Sequence, residues 1–260
     1  MMKNSNLGRS KAVREAFIKH VMAGIDQLMP ITDQLGKMIS RPRETRMAVC
    51  PARMVDDVNK MLDQYQRASN GGDGSAINAP LPVVLLAFAK GMNPITVDRG
   101  RSLADINEVM LRDDSGAYYP VKMAHNEWRV QLCFIAHEQE TAIAITNQLR
   151  LYIQEFQNKR WPINWHHDGN EFTTTCSLDN YEPMDDTVDV PDRTNLIIYV
   201  WDLTLTFPMP FVYGNPKGTV QQVNMDIHDK HDQHINGGYV NASPGQLPHG
   251  EWNHEHGDQG

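Results

Sequence analysis

The segment Asn195 to Phe207 (NLIIYVWDLTLTF) dictates its own conformation. Ile197, Tyr199, Trp201, Leu203, Leu205 and Phe207 fall on one face of an extended chain, and Asp202, Thr204 and Thr206 on the other. That period belongs to a β-strand. At about 3.3 Å per residue the strand spans roughly 40 Å, long enough to serve as the backbone of a sheet. Its apolar face has to be covered by other elements.

A second alternation starts at Asn126. Trp128, Val130, Leu132, Phe134 and Ala136 share one face, and Arg129, Gln131, Cys133, Ile135 and His137 the other, the pattern of a half-buried strand. It runs directly into Glu138 to about Gln157, where Ala142, Ile145, Leu149, Tyr152, Ile153 and Phe156 predict an amphipathic helix that covers the sheet. Leu81 to Ala89 (LPVVLLAFA) is apolar on both faces, as in a strand covered on both sides, although periodicity alone leaves a buried helix open. Phe172 to Leu178 (FTTTCSL) reads as a further strand.

Two more helices are expected. One runs from Ser10, as N-cap, to about Met29, with Val13, Phe17, Val21, Ile25 and Leu28 at helical spacing and Pro30 as its stop. The other runs from Pro51, favourable at a first helical position, to about Arg67, with Met54, Val58, Met61, Leu62 and Tyr65 on one stripe. Ser69 to Pro80 is a loop by composition, and Asp179 to Asp192 an acidic, solvated connector. The fold class is therefore α/β of the α+β kind: a twisted, mainly antiparallel sheet with helices packed on it. Residues 1–37 are expected as an N-terminal helix and linker, 38–216 as the core, and 217–260 as a flexible His-rich tail with few apolar anchors.

A net charge of -8 argues against a general nucleic-acid binder, which needs a basic face for phosphates. The same charge lining a conduit would repel a passing DNA backbone and keep it from sticking. The best apolar run, Leu81 to Ala89, is interrupted by Pro82 and falls short of the roughly 18 to 20 residues of a membrane-spanning helix. Met1 to Ser10 is polar and lacks the apolar core of a secretory signal, so folding in a cytoplasm is expected. Cys50, Cys133 and Cys176 have no metal-like spacing and read as buried, reduced thiols.

Two clusters invite chemistry. The tail carries His228, His231, His234, His249, His254 and His256, but no helical or strand pattern aims them, and ordering such a ligand set costs entropy. His166-His167-Asp168, beside Trp161 and Trp165, could supply a base or a metal ligand. Neighbours in a strand point to opposite faces, so the two histidines cannot easily share one ion, and a polar turn ending in Gly169-Asn170 is the simpler reading. There is no G-x-S-x-G elbow, no phosphate-binding glycine loop and no calcium-loop register; Gly71-Gly72-Asp73-Gly74 is a plain loop. No catalytic, cofactor-binding or metal-binding residue is expected.

The segment Glu127 to Phe156 (EWRVQLCFIAHEQETAIAITNQLRLYIQEF), a strand running straight into an amphipathic helix, resembles the tail sheath stabiliser of contractile-tailed bacteriophages, also called the tail completion or tail terminator protein. Three stretches fit in the same order. Glu44 to Tyr65 resembles the family's strand-then-helix unit, Leu81 to Val97 its apolar strand followed by an Asn-Pro turn, and Asn195 to Tyr213 its closing strand with a Pro-bearing exit. The match covers roughly residues 40 to 215 and carries no catalytic signature. It implies a non-enzymatic virion protein, assembled in the host cytoplasm. A homo-hexameric ring would cap the head-proximal end of the tail, stop polymerisation of tube and sheath, stabilise the sheath and join the neck. Its partners would be copies of itself, the tail tube and sheath proteins and the neck or head-completion proteins, with genome DNA passing through without sequence-specific binding and no membrane involved. Heterologous contacts close into such a ring when the rotation per subunit is a whole fraction of a turn. A head-completion or baseplate subunit is the nearest alternative, and a metal-dependent hydrolase using His166 and Asp168 the alternative from another class.

Overall fold

The computed structural model describes residues 5–52, 56–69, 80–95, 109–112, 118–178, 183–188 and 195–212. The expected tail, 217–260 with its six histidines, lies outside the described residues. The fold is α+β. Helices α1 (Ser10–Asp26), α2 (Asp33–Ser40), α3 (Val58–Ser69) and α4 (Gln139–Gln154) accompany strands β1 (Met47–Cys50), β2 (Val83–Phe88), β3 (Asn93–Pro94), β4 (Val109–Arg112), β5 (Tyr118–Ala136), β6 (Arg160–His167), β7 (Asn170–Leu178), β8 (Asp186–Thr187) and β9 (Ile197–Val212). The sheet runs β1-β2-β5-β9-β7-β6, with β3 and β4 also on β5 and β8 on β9. Only β1 and β2 pair in parallel among the described strands.

The two alternating segments form the spine. β5 and β9 pair antiparallel without a break from Val121↔Val212 to Ala136↔Ile197. One face of this ribbon, with Trp128 to Ala136 of β5 and Tyr199 to Phe207 of β9 at every second position, joins Val84, Leu86 and Phe88 of β2 under α1 and α4. On the opposite face Val83, Leu85, Ala87, Cys133, Ile135, Ile198 and Val200 lie under Val58, Met61, Leu62 and Tyr65 of α3. β2 is thus a strand buried on both sides. The half-buried reading of β5 is corrected by the same arrangement: Val130 to Ala136 is buried throughout, because α3 covers what would otherwise be its solvent face.

Several boundaries move. Ser10 is the first residue of α1 and Arg9 its N-cap, with no side-chain cap. Val13, Phe17, Val21 and Ile25 reach the main core, so α1 belongs to the core that the sequence reading confined to 38–216. α2 is unforeseen; Thr32 caps it by accepting from the Leu35 N–H at 3.2 Å, and Leu35 and Met38 are buried. α3 starts at Val58 and not at Pro51, because Pro51 directly follows β1 and the chain turns at Asp56 (φ 69°). There Asp57 Oδ1 accepts the Lys60 N–H at 3.0 Å, the work of an N-cap. α4 ends at Gln154 and is followed by a 3-10 turn.

The unforeseen β6 carries Trp161, Ile163, Trp165 and His167 alternately into the core. It pairs with β7 through the two-residue turn Asp168-Gly169, at φ 41° and 83°. Positive φ at both positions is the primed hairpin turn that Asp-Gly favours. Between residues 183 and 188 the acidic connector is not merely solvated. Pro183 is buried, Asp185 pairs with Arg150 and accepts from Trp201 Nε1 at 2.6 Å, and β8 pairs with β9. β9 also runs through Pro208 and Pro210, beyond the stretch where β7 pairs with it, so the missing N–H groups fall on an unpaired side. Among the described residues no helix is long and apolar enough to cross a membrane.

Candidate functional site

The histidine pair lies at the end of β6. His167 is fully buried, with Nδ1 3.0 Å from Ser5 Oγ, while Nε2 has no hydrogen-bond partner and stands 3.9 Å from Asp168 Oδ2. His166 falls on the opposite face, half-buried; its backbone N–H donates to Asn6 Oδ1 at 2.7 Å and its C=O accepts from the Asn6 N–H at 3.1 Å. The expected polar turn is corrected accordingly: both histidines are strand residues, and only Asp168 and Gly169 turn. Side chains on opposite faces do not converge on one ion. Among the described residues no group of three or more His, Cys, Asp or Glu is placed to hold a metal ion.

A second feature escaped the sequence reading. α1, α4 and β6 enclose a cleft of about 300 Å³ whose wall is formed by Ala12, Ala16, Ala23, His20, Tyr152 and Trp161. The small residues of α1 let the Trp161 ring approach. His20 stacks on it at 4.2 Å between centroids and 10° between planes, with Tyr152 5.3 Å away. His20 Nε2 and Trp161 Nε1 are both buried without partners. Burial lowers the His20 pKa to about 4, because the imidazolium would lose its hydration there; the ring is neutral near pH 7. Glu15 and Lys19 line the same cleft and are exposed. A signal exists in the sequence, since His20 follows Phe17 and Val13 at helical spacing on the apolar stripe.

The third cluster is an ionic node on the other face of the sheet. Arg129 Nε donates to both Asp202 oxygens at 2.8 Å, while Nη1 and Nη2 donate to Asp56 at 2.9 and 2.6 Å. The hydrogen bond from Arg129 holds the Asp56 carboxyl below its ordinary range, and Asp202 and then Asp56 raise the guanidinium in return. The Asp56 N–H also donates to Gln131 at 3.0 Å. The node therefore ties the positive-φ turn before α3 to β5 and β9.

No protein-family model matches this chain, and no curated protein matches it. Cys50, Cys133 and Cys176 are free and buried. Burial pushes the thiols of Cys50 to about 11 and Cys133 to about 12, and raises that of Cys176 as well, so these sulfurs stay protonated at neutral pH. Each strongly shifted group thus either lies in the interior or joins two elements in an ion pair.

Proposed function

We propose that this chain is a structural virion subunit: the tail terminator of a contractile-tailed bacteriophage, acting as a ring at the head-proximal end of the tail. One observation carries the reading. The four stretches that carry the resemblance form one unit, since their strands β1, β2, β5 and β9 are consecutive neighbours in the sheet. The helices of two of those stretches cover it from opposite sides, α3 against one face and α4 against the other. A ribbon of two long strands braced on both faces resists bending, which suits a subunit that must present fixed surfaces above and below itself.

In this reading copies of the chain close a hexamer on the last ring of tube and sheath, halt their growth, and offer the opposite side to the neck proteins. The genome passes through the ring, whose net negative charge opposes adhesion of phosphates. The subunit is made in the host cytoplasm and ends in the virion. Native mass spectrometry should give a ring of six times 29.5 kDa, about 177 kDa, alone or with tail tubes. Labelled particles should carry the signal at the head-proximal end of the tail. A chain that stays monomeric and never joins tail tubes refutes the proposal, and a signal at the baseplate refutes this position in the tail.

A further inference from the structure

Four large apolar side chains are held open to solvent around α4. Leu151 on its outer face is 64% exposed, Met29 and Ile31 in the loop before α2 are 68% and 67%, and Met184 is 80%. Both flanking segments are fastened to the helix. Gln148 grips the backbone of Met29 from both sides, accepting from its N–H at 2.6 Å and donating to its C=O at 3.2 Å. Farther along the same loop Thr32 Oγ1 meets Thr141 Oγ1 at 2.7 Å. On the other flank Arg150 donates to the Pro183 C=O at 3.1 Å and to Asp185 at 2.7 Å. Leu151 lies one residue beyond Arg150 and one turn beyond Gln148, which places it between the two fastened flanks.

The exposures leave on the order of 500 Å² of apolar side chain open, at the upper end of what a monomer normally shows. A standard interface takes about 800 Å² from each partner, so this strip and its rim are large enough for the centre of one. Arg150 and Asp185, beside it, pair with each other, while Glu155, four residues beyond Leu151, and Asp186, two beyond Met184, are exposed carboxylates at its rim. Fastened flanks also reduce the ordering cost of docking.

We infer that the outer face of α4, with Met29, Ile31, Leu151 and Met184, is a contact surface for a second copy of this chain. The choice of a copy as occupant rests on the ring reading, since interfaces between permanently associated copies are the apolar class.

The test compares self-association of the full chain by native mass spectrometry and sedimentation over a concentration series. Leu151→Lys places a cation in the last turn of α4, which a helix tolerates, and Met29→Asp changes a loop residue. Each should weaken association about tenfold or more, as loss of a central anchor does, with circular dichroism unchanged. Thr175→Lys, on the exposed outer face of β7, should leave association as it is. If both folded variants associate as tightly as wild type, this surface is wrong and the ring reading stands. If the wild-type chain is monomeric at every concentration, both fall.

Discussion

His20 makes stability depend on pH between its unfolded and its folded value. In the unfolded chain it titrates near 6.5, and in the fold near 4. As the pH falls, the unfolded chain takes up this proton first, so the contribution is intact above 6.5 and is lost between 6.5 and 4. At about 1.4 kcal/mol per pKa unit the full loss is about 3 kcal/mol, of which about 2 kcal/mol is gone by pH 5. That is a large part of the roughly 5–15 kcal/mol that holds a typical domain together. Asp56 and Asp57 are held low by hydrogen bonds from Arg129 and Lys60, so what they contribute is lost as the pH falls from their unfolded carboxylate value toward the lower folded one. The assay is urea unfolding followed by circular dichroism at pH 7, 6 and 5, for wild type and for His20→Phe, which keeps an aromatic ring against Trp161 and cannot titrate. Wild type should lose about 2 kcal/mol more than the variant between pH 7 and 5. Parallel pH profiles would refute the reasoning, as would a resonance of His20 titrating above pH 6.

Gly24→Ala should lower the melting temperature although alanine favours helices by about 1 kcal/mol, because the new Cβ would sit 2.8 Å from both Leu149 Cδ2 and Tyr152 Cδ1 and overpacking costs about 1–3 kcal/mol. Leu62→Ala, at a fully buried position of α3 facing the sheet, should cost about 2–5 kcal/mol in denaturant unfolding. Arg129→Ala should cost no more than about 1 kcal/mol by the same measurement, since its ion pairs are solvent-exposed. A thiol-specific reagent at pH 8 should label none of Cys50, Cys133 and Cys176 in the native protein and all three after denaturation.

Elements that announce themselves by a local period are legible in the chain. β9 and α4 show their apolar faces at spacings of two and of three to four, and the structure places those faces in one core. β6 keeps the same period of two through Trp161, Ile163 and Trp165, but Pro162 inside the run weakens the strand signal, and its clearest local mark is the Asp168-Gly169 turn. α2 offers only Leu35 and Met38 as buried anchors in its eight residues, too few to set a period. The start of α3 is hidden in the chain because a proline such as Pro51 fits the exit of a strand as well as the first turn of a helix.

Local spacing thus determines by itself that this chain holds two long strands, covering helices and an interior of thiols and aromatic rings. Burial is decided by segments distant in sequence. β5 is covered on its second face only because α3 arrives there, and His20 stays neutral well below pH 6.5 only because burial beside Trp161 and Tyr152 strips its hydration. Leu151 becomes part of a strip only because Gln148 and Arg150 fasten Met29 and Pro183, 119 and 33 residues away, beside it. Periodicity says which side of a segment is apolar; what that side meets depends on chain paths that no local spacing encodes.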